Sequence, residues 1–555
     1  MRDNKKIIWL LLVFVVFSLF FINKAFHIDD PFTITIAKAI GEHFIRVPQN
    51  YQGNPVFTEQ VCGNPILLGY YWAPIISLLG EQEVWLHIFF LPFSLIAIIS
   101  MYILSRRFTN RSLLATLCFL ITPAFVVTSG NIMLDIPLLG FFLGALATFI
   151  YGVDKDDKKL LFLSVILAGI ASLIKYSGLL VILLMFIYAL ASSKKRYSLF
   201  LLISIFIFFL GCVHNLIFYN RIYFLVALLR RAKEFSINAI FIRIFACLSF
   251  LSGTSIISIL LIPCLLRKKI NQLLLAISLP VGLCPFLVKD PFIRYGNVEK
   301  GILALLFISS FFIIVIIFKA CILSIFKKSR DNDSLFLSLW FIFLLIFTIG
   351  IQFVAARFIL LLFPPMFLLI VKELNLSKIS PSGGLRNKFI PASILITIII
   401  STTLAIGDYR LAGVYRDFVS SLKEKLSLNK DIYFCPTSFD TNLCYGYAYY
   451  LQKYYPQAKN LKIEKDLSGI RDSIYIVPNG SFLAPPFYEI CADYFQKLNY
   501  NKNLINSFCY KGNVFIHNRK FHAGFYTHDW GLLPFYISFR KVSLETFDVY
   551  SLLTK

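Results

Sequence analysis

The chain has 555 residues, 58% of them hydrophobic and only 15% charged, with a mean hydropathy of +0.74. This composition excludes an ordinary soluble globular protein and predicts an α-helical membrane protein that crosses the bilayer many times. The formal net charge of +24 would suit a nucleic-acid partner, but the basic residues fall in short clusters between apolar runs. Such clusters set membrane topology, so nucleic acid is excluded as a partner.

The first apolar run, Ile7 to Ile22, follows Lys5 and Lys6 and is long enough to cross a membrane. Asn23-Lys24-Ala25-Phe26 is a poor cleavage site, so the run reads as an uncleaved first span. With positive charge held inside, Asp29 and Asp30 emerge at the lipid boundary of the opposite face. Two carboxylates so near hydrocarbon are costly unless they bind a cation, share a proton or meet a substrate. A helix cap is the structural alternative, since Asp before Pro31 commonly starts a helix. A divalent metal is a further role for Asp29, with His27, Glu42 and His43 completing a set, although the spacing matches no zinc pattern.

A long outer loop, about residues 27–84, combines Pro, Asn and Gly with aromatic residues suited to ordered packing at the interface. Further apolar runs lie at about 85–104, 112–128, 136–152, 160–174, 177–192, 198–219, 244–265, 270–288, 301–325, 334–355, 358–371 and 389–407. With the first run they make thirteen expected spans. That count places every basic cluster on the cytoplasmic side of the inner membrane: Arg106/Arg107/Arg111, Lys194/Lys195/Arg196, Arg267/Lys268/Lys269, Lys327/Lys328/Arg330 and Lys372 to Lys388. It also sends the C-terminal part to the outer side, with Asp29 and Asp30.

Asn220 to Arg243 carries Arg221, Arg230, Arg231, Lys233 and Arg243 among apolar residues. It reads as an amphipathic helix on the membrane surface, and its outer cations suit a lipid phosphate. Residues 408–555 alternate β-like runs (431–434, 473–477, 513–517) with helix-like ones (441–455, 486–498), which predicts a small extracytoplasmic α/β domain. Of the eleven cysteines, Cys435, Cys444, Cys491 and Cys509 lie there, and their even number permits disulfides of undetermined pairing.

The topology gathers charged residues from distant parts of the chain at the outer ends of the spans. Asp135 begins the fourth, Lys175-Tyr176 separates the fifth and sixth, Lys289-Asp290 and Arg294-Tyr295 follow the ninth, and Arg357 lies between the eleventh and twelfth. Asp135 could equally cap a helix, and the cations could be snorkelling anchors. Together they suit an anionic lipid-linked donor: cations hold a phosphate, and an Asp serves as general base toward an acceptor hydroxyl.

Asp29-Asp30-Pro31 ahead of Ile36-Ala37 is followed by Asn64-Pro65 with Leu68-Gly69-Tyr70-Tyr71, then by Met133 to Pro137. Ala168-Gly169-Ile170-Ala171 then precedes Ile174-Lys175-Tyr176-Ser177-Gly178, and Ala356-Arg357-Phe358 precedes Phe363-Pro364-Pro365. In this order, over roughly residues 26 to 366, the motifs resemble the GT-C membrane glycosyltransferases. The likeness is to the bacterial relatives of dolichyl-phosphate-mannose protein O-mannosyltransferases and aminoarabinose lipid A transferases. The resemblance implies a glycosyltransferase domain over residues 1–407. It implies a polyprenyl-phosphate sugar donor and an inverting transfer on the outer face to lipid A or core, another glycan or a protein hydroxyl. By matching position, Asp29 corresponds to the family's catalytic acidic residue, with Asp30 beside it, and Asp135 to the second-loop Asp. Lys175 and Arg357 match basic residues near the donor phosphate, where Tyr176 and Arg294 are also expected; Asn64 and Tyr70 are expected to position the acceptor or the loop. The second acidic position holds Asp where Glu is common, which leaves the subfamily open.

A transporter or flippase for a lipid-linked glycan, or a polysaccharide polymerase, is the alternative. Transporters place ionisable residues near mid-membrane and show two related halves. Here the candidates sit at the outer ends of the spans, and no halves are visible.

Overall fold

The computed structural model describes residues 2–49, 51, 58, 61–233, 236–287, 294–326, 331–350, 353–376, 384–425, 432–434, 447–455, 459–460, 473–478 and 501–553. Its first helices are α1 (Arg2–Leu19), α2 (Asp30–Glu42), α3 (Leu67–Leu79) and α4 (Glu83–Phe108). Then come α5 (Asp135–Lys155), α6 (Lys158–Ile174), α7 (Leu179–Ala191), α8 (Leu201–Tyr219), α9 (Tyr223–Lys233) and α10 (Ile237–Gly253). The later helices are α11 (Lys269–Ser278), α12 (Asn297–Phe326), α13 (Asn332–Gly350), α14 (Ala356–Ile359), α15 (Phe363–Leu376), α16 (Gly384–Lys425) and α17 (Tyr447–Tyr454). Among the described residues, seven helices are long and apolar enough to cross a membrane, and the chain is a multi-pass membrane protein.

Several of the thirteen expected spans are short or broken, and proline marks some of the restarts. The 112–128 run divides into Ser112–Leu120 and Pro123–Thr128, with the Thr122 side chain capping the second piece. The 244–265 run ends at Gly253 and restarts as two short helices, the second opening at Ile262-Pro263. Proline lacks an N–H and fits the first turn, so it restarts a helix where a hydropathy count sees one continuous run.

The central helix α5 packs against α4 through Gly140 and Gly144. A Cβ at Gly140 would stand 2.8 Å from the Phe93 carbonyl oxygen, so glycine is what lets the two backbones approach. At the far end of α5, Asp154 accepts from Arg107 at 2.5 Å, and Arg107 also reaches Asp333 at 2.8 Å. This cluster ties α4, α5 and α13 together about 28 Å along the helix from Asp135, close to the thickness of a bilayer core.

The C-terminal part carries a five-stranded sheet in the order β2-β1-β3-β7-β4. β1 (Ile432–Phe434) runs parallel to β2 (Lys459–Asn460) and β3 (Ser473–Pro478), whereas β7 (Tyr536–Leu553) is antiparallel to β3 and β4 (Asn501–Phe515). The first two expected strands are present, and the third is the end of the longer β4. Helix α17 falls within the expected 441–455. The expected helix at 486–498 lies outside the described residues, as do Cys435, Cys444 and Cys491; Cys509 is exposed on β4. Between β4 and β7, residues 516–535 leave the sheet as an insertion containing β5 (His517–Asn518) and β6 (Ala523–Gly524). Gly531 makes its tight return possible: its φ is +152°, and a Cβ there would lie 1.9 Å from the His522 carbonyl oxygen. Burial, aided by the charges of His27 and Arg357, pushes His517 down to about 3, so it stacks on Trp530 as a neutral ring.

The expected domain boundary at 407/408 falls inside α16. Asp408 is the first charge after an apolar run and therefore looks like the start of a polar domain, but its side chain is buried. It pairs with Lys24, which also donates to Asn131 Oδ1 at 2.5 Å. His27 Nε2 lies 3.0 Å from Asp408 Oδ1, and the Tyr526 hydroxyl donates to the same oxygen at 2.8 Å. Removing one member of a buried ion pair strands the other charge. Asp408→Ala is therefore expected to destabilise the protein by about 3–5 kcal/mol, seen as a fall in unfolding temperature in detergent, and Lys24→Met with Asp408→Leu should recover most of the loss. A single variant as stable as wild type would contradict this role.

Candidate active site

Asp29 occupies the N-cap position of α2, with Pro31 in the first turn, but its side chain makes no capping bond. It instead accepts from Arg357 at 2.5 Å. Ile28, just before it, has a φ of +53°, a left-handed conformation that is rare for a β-branched residue and marks a constrained turn. Asp30 turns the other way. It is fully buried, accepts from the His27 backbone N–H at 3.3 Å, and lines no described cavity wall near Asp29. The adjacent carboxylates therefore serve different surroundings, and neither side chain caps the helix.

Asp135 is the first residue of α5, where its Oδ1 accepts from Lys175 at 2.7 Å. Its Oδ2 stands 3.7 Å from Arg357 Nε. Lys175 ends α6 in an extended conformation, with its ammonium 4.2 Å from the centre of the Phe358 ring. The Arg357 guanidinium sits over the same ring at 5.3 Å and against Met133 Sδ at 2.9 Å. The result is an alternating chain, Asp29–Arg357–Asp135–Lys175, laid across one aromatic face. Arg357 and Asp135 are deeply buried, whereas the Asp29 side chain is 35% exposed, so Asp29 is the open end of the chain.

These four residues line a cavity of about 360 Å³ together with Asn64, Cys62 and Phe32. Arg230 and Arg231 of α9 complete the wall, giving four cations against two carboxylates and a cavity that favours an anion. A smaller cavity of about 90 Å³ shares Asp135, Lys175, Arg231, Arg357 and Phe358, and its remaining wall is mainly apolar, with Leu138, Leu344, Phe347, Leu360 and Leu361 beside Ser177 and Thr348. The polar chain thus borders both cavities, and the smaller one has the more apolar remaining wall.

The remaining expected residues divide. Asn64 borders both cavities, and Tyr176 borders the smaller one while donating to the Cys62 carbonyl at 3.2 Å. Tyr70 borders neither; its hydroxyl donates to the Ile45 carbonyl at 3.4 Å. Arg294 is exposed and also borders neither, and Lys289 and Asp290 lie outside the described residues. The expected metal set around His27 is not assembled, because Asp408 and Asp30 engage the His27 ring away from Asp29. Among the described residues, no group of three His, Cys, Asp or Glu side chains could hold a metal ion.

The sequence places Arg230 and Arg231 on a membrane-surface helix whose outer cations suit a lipid phosphate. Helix α9, as described to Lys233, brings both side chains to the cavity wall. Lys24, Asp408 and Tyr526 were missed as site neighbours. For Lys24 and Asp408 the available signal was a charge set directly at the end of an apolar run.

Residues 63–218 match the family model for dolichyl-phosphate-mannose-protein mannosyltransferase. The matched stretch includes Asn64, Asp135, Lys175 and Tyr176, whereas Asp29 and Arg357 lie beyond it. Over this stretch the expected resemblance to the protein mannosyltransferases is found. Over 90% of this chain and 96% of the other, the structure is similar to ArnT from Cupriavidus metallidurans bound to undecaprenyl phosphate, with 15% identity and a TM-score of 0.44. For ArnT from the same organism in the apo state the values are 91%, 97%, 13% and 0.43. No curated protein matches at a significant level.

Gly178 governs how closely the Lys175 turn folds back on α6. A Cβ there would stand 2.1 Å from the Ala171 carbonyl oxygen. Gly178→Ala is expected to cost about 1–3 kcal/mol through overpacking, measured as a lowered unfolding temperature in detergent. Unchanged stability would mean that the turn tolerates displacement.

Proposed function

We propose that the chain is a membrane glycosyltransferase that moves a sugar from a polyprenyl-phosphate donor to an acceptor hydroxyl on the outer face of the cytoplasmic membrane. The observation that carries this reading is the cavity in which Asp29, the most exposed member of the alternating chain, meets Arg357 beside Lys175. Lys175 and Arg357 hold the donor phosphate. The leucine-lined side of the smaller cavity receives the first part of the lipid tail, and the sugar projects into the larger cavity. As the acceptor oxygen bonds to the anomeric carbon, the carbon–oxygen bond to phosphate breaks, and the phosphate departs with the electron pair. Arg357 and Lys175 stabilise that charge, and phosphate leaves without a general acid. Asp29 takes the acceptor proton. Because Arg357 is also the partner of Asp29, a phosphate drawing on Arg357 releases Asp29 for this task. Asp135 holds Lys175 and Arg357 in place.

The acceptor is a lipid A or core sugar, another glycan or a protein hydroxyl. The lean of basic residues toward the opposite helix ends and the placing of this charged cavity at the outer ends of the helices support an outer-face enzyme over a transporter. The test is transfer of radiolabelled sugar from a purified polyprenyl-phosphate donor. Asp29→Asn and Arg357→Ala are each expected to reduce turnover by at least about 100-fold, the range for removing a general base or a charge-stabilising donor. Folded variants that transfer at wild-type rates would overturn the mechanism. Donor movement across vesicles without transfer would favour the flippase instead.

A further inference from the structure

The insertion between β4 and β7 reaches three of the four segments that carry the cavity chain, those of Asp29, Asp135 and Arg357. Its tetrapeptide Phe525-Tyr526-Thr527-His528 is largely buried against the membrane helices. The Phe525 carbonyl accepts from the Ala356 N–H at 2.9 Å, directly before Arg357. His528 closes the same edge: its N–H donates to the Val354 carbonyl at 2.9 Å, and its Nδ1 accepts from the Val354 N–H at 3.0 Å. Between them, the Tyr526 hydroxyl donates to Asp408 at 2.8 Å and accepts from Asn131 at 2.9 Å. Asp408 in turn holds Lys24 and His27, which precede Asp29, and Asn131 precedes Asp135 on the loop that opens α5.

We propose that residues 525–528 are a positioning element that sets Arg357, Asp29 and Asp135 in register from one point in the C-terminal part. None of the four residues borders the cavity, so the element acts through the loops it grips. Its catalytic consequence rests on the glycosyltransferase reading; its mechanical consequence does not. The ring of His528 mimics a strand acceptor for Val354, which neither alanine nor a longer side chain supplies at that place. Asparagine does, because its Oδ1 falls where Nδ1 stands.

The experiment uses the full chain in lipid nanodiscs, with His528→Ala, His528→Asn and Tyr526→Phe compared with wild type. Amide exchange over residues 353–358 should quicken about tenfold in His528→Ala, the loss of roughly one buried hydrogen bond, and stay near wild type in His528→Asn. Decaprenyl phosphate binding should weaken about tenfold in His528→Ala and Tyr526→Phe. Their sugar-transfer kcat should fall about 10- to 100-fold, with His528→Asn restoring both in its own position. Variants that unfold at lower temperature yet exchange, bind and turn over as wild type would overturn the proposal and leave the segment purely structural. If wild type bound no decaprenyl phosphate, the glycosyltransferase reading would fall, while the exchange arm would still decide whether the tetrapeptide holds the Arg357 loop.

Discussion

A guanidinium buried among apolar helices must be compensated, and Arg357 is compensated by two carboxylates from distant parts of the chain. That requirement organises the site. Asp29 must come from the first outer loop and Asp135 from the start of the central helix, so the loops after α1 and before α5 are drawn to the start of α14. Lys175 joins through Asp135, and Phe358 offers its face to both cations. With a single acidic partner per cation the cluster would be electrically closed. The added charges of Arg230 and Arg231 leave it open to an anion.

The same logic recurs behind the cavity. Lys24, His27 and Asp408 are withdrawn from solvent, and each buried charge is met by another or by Asn131 and Tyr526. Such networks are costly when broken and specific when complete. Here the network joins the segment before Asp29, the helix that leaves the membrane and the insertion from the β-sheet. The C-terminal part is thus continuous with the site's support.

The helical membrane class, the clustered basic residues and the four members of the cavity chain were legible in the sequence. Each rests on hydropathy or on a charge set next to an apolar run, and both survive folding. What hydropathy could not resolve was continuity. Pro123, Pro263 and Pro364 restart helices within runs that read as single spans. Nor could adjacency distinguish Asp29 from Asp30, because the left-handed turn at Ile28 sends one carboxylate to the cavity and the other to His27. Asp408 misled in the opposite sense, since a charge ending an apolar run looks exposed until Lys24 is found beside it. Arg294 and Tyr70 carried the right chemistry in the right loops, but their positions depend on tertiary packing that no local pattern encodes.

The central claim is that the donor phosphate sits between Lys175 and Arg357 and draws Arg357 away from Asp29. A high-resolution structure with decaprenyl phosphate bound tests it directly. The account predicts phosphate oxygens about 3 Å from Lys175 Nζ and the Arg357 guanidinium, with Asp29 parted from Arg357 and facing the larger cavity. A phosphate bound elsewhere, with the Asp29–Arg357 pair intact, would contradict it.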